Sequence, residues 1–440
     1  MNPSNVKYSS SPQEGTAAES ELMVFRSELP SYNPSSNKFV RINLPVAPMS
    51  FLDWSDSILS LKFTNRSFIT GTANEDGAAV KTQLSNLIKS VAIYNQDSEQ
   101  IEYINNYNLI VNVLDDYTMS VGRKTSVDSI LAGGSATGDP DAAVAITGAD
   151  SVTEADGASK VLCDGLVSAF TSGQFLSPLG FLRGVACSIV LELEDPNTCL
   201  KVETATNCTA AYAVSDIQIR AKQIKFNDSF NQSFMSSMMA AGATGIHYVS
   251  ESFMHTQGSL NNNASAQQNV NFSLNPRSAK YLLVTHRPES DVTNKAKYSL
   301  GVRSSAAIQS YSMEINGKQT PTQPIEISDT NLSQGYAQIL DGFGQINNLS
   351  HQNLITQTGN SLLYARNQAT ACKYVSAITL EDFNSAQSGV YSGMDLSNVS
   401  QMSYRPNIAD ALTSSYRLDV LCSIDIAYHI SSEGKMFTVR

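Results

Sequence analysis

Apolar and polar residues alternate with a period of two along several stretches of the chain. Near its end, apolar side chains occupy every second position from Leu418 to Ile430. Successive side chains of a strand point to opposite faces, so this spacing predicts a strand with one buried face. The intervening polar residues are predicted to face solvent: Asp419, Ser423, Asp425 and His429. The pattern therefore predicts a long, half-buried strand.

Similar patterns predict strands throughout the chain. They lie at 39–46, 56–64, 187–195, 215–226, 269–274, 279–286 and 308–317, and β-branched content predicts a further strand at 87–95. Helical spacing of apolar residues instead predicts short helices over 104–117 and 329–343, and a further short helix across 16–28 that ends before Pro30. Many strands with few helices favour an all-β sandwich.

Two similarities between the halves predict an internal duplication. The stretch "IKSVAIYN" begins at Ile88 and "IQSYSMEIN" at Ile308, an offset of 308 minus 88, or 220. A Cys-Ser-Ile phrase begins at Cys187 and again at Cys422, an offset of 422 minus 187, or 235. A predicted helix follows the Ile-x-Ser strand in each half. We therefore predict two copies of one β-fold.

The length of the chain also favours two domains. A single hydrophobic core rarely serves more than about 250 to 300 residues, and the chain has 440. We predict an N-terminal arm over 1–37, a first β-domain over 38–226, a connection over 227–265 and a second β-domain over 266–440. The connection lacks strand rhythm, and we predict a packed linker helix around Met238 and Met239. The Gly- and Ala-rich segment 131–160 is predicted to be a surface insertion loop.

Composition and charge narrow the class of protein. Only 16% of residues are charged, which suits a protein that hides much of its surface in subunit contacts. The net charge is -11 and the N-terminal segment has no basic cluster, so we expect no direct or sequence-specific nucleic-acid binding. The sequence begins without an apolar run, so we expect no signal peptide, and no stretch has the roughly 18 apolar residues of a membrane helix.

The six cysteines show no metal-binding spacing. Cys187 and Cys422 fall on the apolar face of predicted strands, so we interpret them as small buried hydrophobes. Cys199 and Cys208 could close a hairpin disulfide, with reduced thiols as the default in an intracellular protein. The spacing leaves both alternatives open.

No pattern indicates catalysis, a cofactor or a metal. The five histidines form no HxH or HExxH set, and no G-x-S-x-G motif occurs. Asp115 with Asp116, or Glu192 with Glu194, could supply paired carboxylates, but we expect Glu192 and Glu194 to lie on a solvated strand face. We therefore predict that the protein is not an enzyme.

The first quarter of the chain resembles a known family of viral proteins. The segments "FRSELPSYNPSSNKFVRINLP", "FLDWSDSILSLKFTN" and "NLIKSVAIYNQDSEQIEYINNYNLIVNVLDDY" are similar to double jelly-roll major capsid proteins of polinton-like viruses, adintoviruses and virophages, distant relatives of adenovirus hexon. The similarity is clearest over 25–117. It implies two tandem eight-stranded jelly rolls with short helices and long inserted loops.

The resemblance also implies a role in assembly. Three chains would form a pseudo-hexagonal homotrimeric capsomer, and capsomers would tile the icosahedral shell of a virion together with minor capsid and penton proteins. Segment 131–160 would then be an outward tower. The N-terminal arm would lie at the base, where it would tie neighbouring subunits or contact an internal membrane.

Four residues are candidates for subunit contacts. Trp54 is the single tryptophan, and it is equally compatible with an interface and with the core. Tyr32, Asn33 and Pro34 could fix the exit of the arm, or form a simple surface turn. Two other functions stay open: a tandem β-sandwich lectin or adhesin, and a minor vertex or spike capsid protein.

Overall fold

The structure is a computed structural model of the whole chain. It describes residues 18–45, 50–69, 78–118, 159–168, 176–177, 187–202, 208–240, 245–262, 267–297, 299–301, 303–327, 332–343, 373–381, 392–408, 412, 414–431 and 436–439.

The first half of the chain forms two principal antiparallel sheets and two small ones. Its strands are β1 (Ala18–Arg26), β2 (Ser31–Tyr32), β3 (Phe39–Leu44), β4 (Ser50–Asn65), β5 (Phe68–Ile69), β6 (Val80–Lys81), β7 (Ile88–Tyr94), β8 (Gln100–Asn105), β9 (Ser159–Asp164), β10 (Leu176–Ser177), β11 (Cys187–Leu193), β12 (Lys201–Val202), β13 (Cys208–Thr209) and β14 (Tyr212–Phe226). One principal sheet has the order β1-β14-β4-β10, with β9 also pairing with β4 and β2 with β14. The other has the order β3-β11-β7-β8.

The second half of the chain repeats this arrangement. Its strands are β15 (Gly245–Leu260), β16 (Val270–Phe272), β17 (Ala279–Pro288), β18 (Ile308–Ile315), β19 (Lys318–Glu326), β20 (Ser376–Thr379), β21 (Met402–Ile408), β22 (Tyr416–Ser431) and β23 (Met436–Val439). One sheet has the order β15-β22-β17-β20, with β23 on β22, and the other has the order β16-β21-β18-β19.

The two halves share one topology. If the eight principal strands of each half are numbered along the chain, both halves contain one sheet of order 1-8-3-6 and one of order 2-7-4-5. In the first half, β9 and β10 share position 6. This double Greek key is the jelly roll. The predicted all-β fold of two tandem jelly rolls is confirmed, and we call the halves the first and second jelly rolls.

Strand order tests the two offsets that predicted the duplication. The strands that begin at Ile88 and Ile308, β7 and β18, both occupy position 4, which confirms the offset of 220. The Cys-Ser-Ile phrases lie in β11 at position 7 and β22 at position 8, so they are not equivalent and that comparison is wrong. Both strands are buried centrally in their sheets, and a shared burial pattern alone produced the similarity.

Helices are short and lie between strands. They are α1 (Tyr107–Thr118), α2 (Pro196–Cys199), α3 (Asp228–Ala240), α4 (Glu289–Val292) and α5 (Ser333–Gly342), with a 3₁₀ turn at Ser85–Leu87. Helices α1 and α5 both connect positions 5 and 6 of their jelly rolls, which confirms the two predicted helices. The predicted linker helix is present as α3, although the side chains of Met238 and Met239 lie outside the described residues.

Two secondary-structure predictions are wrong. Residues 18–26 form strand β1 instead of a helix, because they pair with β14 in unbroken register from Ala18 to Arg26 and place Phe25 in the core. Part of the predicted connection, 245–260, is strand β15, which pairs residue by residue with β22. Both strands gain their hydrogen bonds from a partner distant in sequence, which local propensity does not reveal. Most of the predicted insertion loop, 131–158, and the first 17 residues lie outside the described residues.

Candidate assembly surfaces

A buried ion-pair cluster joins the two jelly rolls. The Asp116 carboxylate on α1 lies 2.6 Å from Arg303 Nη2 and 3.2 Å from Lys373 Nζ, and all three side chains are almost fully buried. The Lys373 ammonium also donates to the Gly301 carbonyl at 2.5 Å. Buried charges are costly unless they are paired and hydrogen-bonded, and here the one carboxylate pairs with both cations. Asp116 therefore holds the first jelly roll to two cations of the second.

Aromatic side chains surround this cluster. The Tyr117 hydroxyl donates to the Lys373 carbonyl at 2.5 Å, and its ring stacks on Phe343 with the centroids 6.3 Å apart. The Phe343 ring in turn meets the Tyr281 ring of β17 edge to face at 5.2 Å. Helices α1 and α5 are thus linked through aromatic contacts on the outer side of the second jelly roll, which excludes water from the ion pairs.

A second cluster centres on Asp419 in β22. Its carboxylate accepts hydrogen bonds from Arg287 at 2.7 and 3.1 Å and from Arg417 at 3.1 Å, and it lies 2.9 Å from His255 Nε2. The Asn106 amide nitrogen, just before α1, lies 2.9 Å from the same ring atom. Burial by itself would raise the pKa of the Asp419 carboxyl, but Arg287, His255 and Arg417 hold that pKa well below its usual range.

Strand β8 makes a third contact between the jelly rolls. The Glu102 carboxylate is buried and accepts hydrogen bonds from the Ser252 hydroxyl at 2.5 Å and the Tyr428 hydroxyl at 3.0 Å. The Asn95 amide donates to the Met436 carbonyl at 2.9 Å. Polar groups from β8, the turn after β7 and α1 therefore all meet partners in the second jelly roll, and the contact is specified by hydrogen bonds.

These contacts overturn the predicted half-exposure of β22. Asp419, Ser423, Asp425 and His429 were expected to face solvent, yet each is less than a tenth exposed. The outer side of the second roll's 1-8-3-6 sheet is covered by α5 and by the first jelly roll, so both faces of β22 are buried. The polar residues there form hydrogen bonds within the contact, as Ser423 does with Glu251 at 2.6 Å.

The interior of the second jelly roll contains a neutral histidine among tyrosines. His286 is fully buried, with its Nε2 3.3 Å from the Tyr404 hydroxyl, which itself donates to the Ser376 hydroxyl at 2.9 Å. The His286 ring also lies against Tyr374. Burial lowers the pKa of His286 to about 3, against a smaller opposing effect of Asp419. The imidazole is therefore uncharged at neutral pH.

The equivalent outer sheet face of the first jelly roll is open. On the 1-8-3-6 sheet, outward positions of β1, β4 and β9 carry the apolar side chains Leu22, Val24, Ile58 and Val161, which are 59, 43, 38 and 62% exposed. Exposed basic residues lie among them: Lys62, Arg220 and Lys222. We call these seven residues the first-roll outer face. Exposed apolar side chains interspersed with cations make this face a candidate interaction surface.

The predicted contact residues lie at various depths. Trp54 is 2% exposed and packs in the core, which favours the core over the interface interpretation. Tyr32 is also buried, and its hydroxyl accepts a hydrogen bond from the Leu29 amide at 3.0 Å. Asn33 and Pro34 are half-buried in a turn in which the Asn33 side chain accepts from the Ser35 amide. The contact role of these residues stays a prediction.

The paired strand carboxylates are not on a solvated face. Glu192 and Glu194 are each less than a tenth exposed. Glu192 lies 2.8 Å from Lys38 Nζ and 3.2 Å from Lys89 Nζ, whereas Glu194 accepts from the Asn108 amide at 2.8 Å. Burial would raise the pKa of Glu192, but hydrogen bonds from Lys38 and its neighbours hold it below the usual value. The side chains of Lys38, just before β3, and Lys89, on β7, therefore cover the end of β11.

The described cysteines are all free thiols. Cys199 and Cys208, whose pairing the sequence left open, are both unbridged and buried. Cys187 and Cys422 are buried in their sheets, which confirms their interpretation as small hydrophobes. Cys372 lies outside the described residues.

In the parts of the chain that the structure describes, no group of three or more His, Cys, Asp or Glu side chains could hold a metal ion. No helix within the same ranges is long and apolar enough to span a membrane.

Sequence patterns missed the residues that join the jelly rolls. The sequence indicated Asp116 only as one of two adjacent carboxylates, and Arg303 and Lys373 lie outside any predicted helix or strand. One signal was present in 104–117. Asp116 and Tyr117 continue the buried side of the helix, so a charged residue lies beside its apolar residues. The partners of that charge depend on the packing of two domains and have no local signal.

Strand order and the contact between the rolls define the class of fold, a double jelly roll. Solved structures with similar folds include the PBCV-1 virus capsid (10% identity, 97% of this chain and 98% of that chain, TM-score 0.57), the Faustovirus major capsid protein (7% identity, 96% and 92%, TM-score 0.60) and the mavirus major capsid protein (12% identity, 99% and 92%, TM-score 0.54). Each aligns along nearly its whole length. No family model and no curated protein matches the sequence.

Proposed function

We propose that the chain is a structural major capsid protein of a virion and has no catalytic role. The observation that carries this proposal is the repeated 1-8-3-6 and 2-7-4-5 strand order, with two jelly rolls joined side by side by buried ion pairs. Solved structures that align with almost the entire chain are named as viral capsids or major capsid proteins. Three such chains present six similar rolls, which suits a near-sixfold position in a closed icosahedral shell.

The proposed assembly unit is a pseudo-hexagonal homotrimer. Neighbouring capsomers would make up the facets, with minor capsid and penton proteins as further partners. We place the boundary between the rolls after Phe226, where β14 ends and α3 begins. We propose the inserted segment up to residue 158, before β9 begins at Ser159, as the outward tower, and the N-terminal segment before β1 as the contact with neighbouring subunits or an internal membrane.

Mass measurement and electron microscopy test this proposal. We expect purified protein to have a mass of three times 47.5 kDa by light scattering, and negative-stain images to show a pseudo-hexagonal outline. A stable monomer that binds glycans on an array would instead establish the lectin alternative. Fivefold or fibrous particles would indicate a vertex or spike protein.

A further inference from the structure

The Asp419 cluster holds more positive than negative charge. The Asp419 carboxylate forms ion pairs with Arg287 on β17 and Arg417 on β22. Although burial would raise the pKa of the Asp419 carboxyl, its cationic neighbours hold that pKa low, so the group is ionised at neutral pH. His255 adds either no charge or a positive one. Arg287 and Arg417 also lie directly opposite each other on neighbouring strands, where like charges repel. Two guanidinium charges therefore share one carboxylate charge.

The acceptor positions of the Asp419 carboxylate are all in use. An ionised carboxylate offers about four lone-pair positions. Its Oδ2 accepts from Arg287 Nε at 3.1 Å and from Arg287 Nη2 at 2.7 Å. Its Oδ1 accepts from Arg417 Nε at 3.1 Å and lies 2.9 Å from His255 Nε2. Asp419 therefore has no position left for a further donor.

One nitrogen of the Arg287 guanidinium lacks an acceptor. The Arg287 side chain is 3% exposed, and among the described residues its Nη1 has no hydrogen-bond partner. Because the guanidinium is planar and its Nε and Nη2 edge faces Asp419, Nη1 points away from that carboxylate. A buried N–H group without an acceptor is costly, so Nη1 requires a partner from outside the cluster. That partner is either water or an anion.

Other carboxylates on the same sheet face have partners of their own. The Glu251 carboxylate accepts hydrogen bonds from the Tyr281 and Ser423 hydroxyls at 3.0 and 2.6 Å. Asp425 lies opposite Glu251, further along β22, and accepts from the Ser278 hydroxyl at 2.6 Å. Because these carboxylates are engaged elsewhere, the excess positive charge of the cluster favours an anion over neutral water.

We infer that Arg287 Nη1 and Arg417 bind a small monovalent anion of the chloride type. One such ion would accept the remaining hydrogen bond and balance the second guanidinium charge. The Arg417 side chain is 20% exposed, which gives a small ion a path from solvent to the buried guanidinium of Arg287. The Asn106 amide of the first jelly roll lies 2.9 Å from His255 in the same cluster, so a bound ion would stabilise the contact between the rolls. Anion binding at this point is independent of the proposed function.

Thermal unfolding at constant ionic strength and one protein concentration tests this site. As sodium chloride replaces sodium gluconate, the midpoint of the wild type should rise by about 2 to 4 °C for each tenfold increase in chloride above the dissociation constant. Arg287→Gln should lose this response, because it removes Nη1 and leaves the charges of Arg417 and Asp419 in balance. Arg220→Gln is the matched control: it changes an exposed arginine of the first jelly roll and should respond as the wild type does. A wild type that does not respond to chloride, or an equal response in Arg287→Gln, would overturn the inference.

Crystallography tests the same site in the wild type, where no variant has to fold. Crystals soaked in sodium bromide at physiological ionic strength should show an anomalous peak within hydrogen-bonding distance of Arg287 Nη1, because bromide replaces chloride and scatters anomalously. A light atom without anomalous signal at that position would identify water only and overturn the inference. The proposed function would still stand, since it depends on strand order and particle symmetry and not on a bound ion.

Discussion

At the scale of single residues, the chain places titratable groups where their charge state decides stability. His286 is neutral inside the second jelly roll because burial lowers its pKa to about 3. In the unfolded chain, a histidine titrates near pH 6.5. Below that pH the unfolded state binds a proton that the folded state does not, so His286 makes the free energy of unfolding fall as the pH falls from about 6.5.

His286→Phe should remove this acid sensitivity. Phenylalanine keeps a ring against Tyr374 and Tyr404, and the Tyr404 hydroxyl retains its bond to Ser376. Between pH 7.5 and 5.5, the wild type should lose about 1.4 kcal/mol per pH unit below 6.5 through this histidine, and the variant should lose correspondingly less. Urea unfolding at several pH values measures the difference. Parallel pH profiles for both proteins would show that His286 gains a proton in the folded state.

At the scale of elements, the backbone of segment 392–394 packs closely against the start of β17 in the 1-8-3-6 sheet of the second roll. Gly393 precedes Met394, whose backbone exchanges hydrogen bonds of 2.9 Å with Ala279 at the start of β17. A Cβ added at Gly393 would lie 2.5 Å from the Ala279 carbonyl carbon and oxygen. These contacts are to backbone, which a rotamer change cannot relieve.

Gly393→Ala should therefore destabilise the protein by about 1 to 3 kcal/mol, as overpacking does elsewhere. Gly165→Ala is the matched control, because a Cβ there meets no atom within 4 Å. Thermal unfolding should show a lower midpoint for the first variant and an almost unchanged one for the second. Equal midpoints would mean that the 392–394 segment shifts away from β17 without cost.

Element type was largely predictable from sequence, and element partners were not. The alternation around β14 and β18, the β-branched content of β7 and the helical spacing of α1 are local signals, and they predicted the correct elements. Strands β1 and β15 were not predicted, because their sequences lack a clear strand pattern. Their backbone hydrogen bonds come from pairing with β14 and β22, which are distant in the chain. The two-residue period also could not show that the second face of β22 is covered, since a polar residue in a buried contact and one in solvent have the same pattern.

At the scale of the whole molecule, buried charges lie within a contact between the two rolls that is also apolar and hydrogen-bonded. The Asp116 carboxylate forms ion pairs with both Arg303 and Lys373, and all three side chains are buried. Loss of one partner would leave the remaining charges buried and unpaired, which typically costs about 3 to 5 kcal/mol. The sequence predicted two like domains, but the residues of this cluster are distant from one another in the chain and give no local signal of the surface between the domains.

Asp116→Asn should weaken the contact between the rolls by about 3 to 5 kcal/mol, whereas Asp115→Asn, next to it and only half-buried, should cost about 1 kcal/mol or less. Calorimetry measures the effect. We expect Asp116→Asn to separate the unfolding of the two rolls into distinct transitions at lower temperature. An unchanged single transition would show that the apolar and hydrogen-bonded contacts suffice.

The pairing of first and last strands has a consequence for how the protein is made. In each roll, the strand at position 1 lies beside the strand at position 8. Strand β1 therefore cannot pair until β14 has been synthesised, and β15 cannot pair until β22 has been synthesised. On the ribosome, the first jelly roll can complete its sheet once residue 226 has emerged, while the second jelly roll stays open until residue 431 has emerged. During that interval, the finished roll offers α1 without its partner, and nascent chains on one messenger would be vulnerable to premature association.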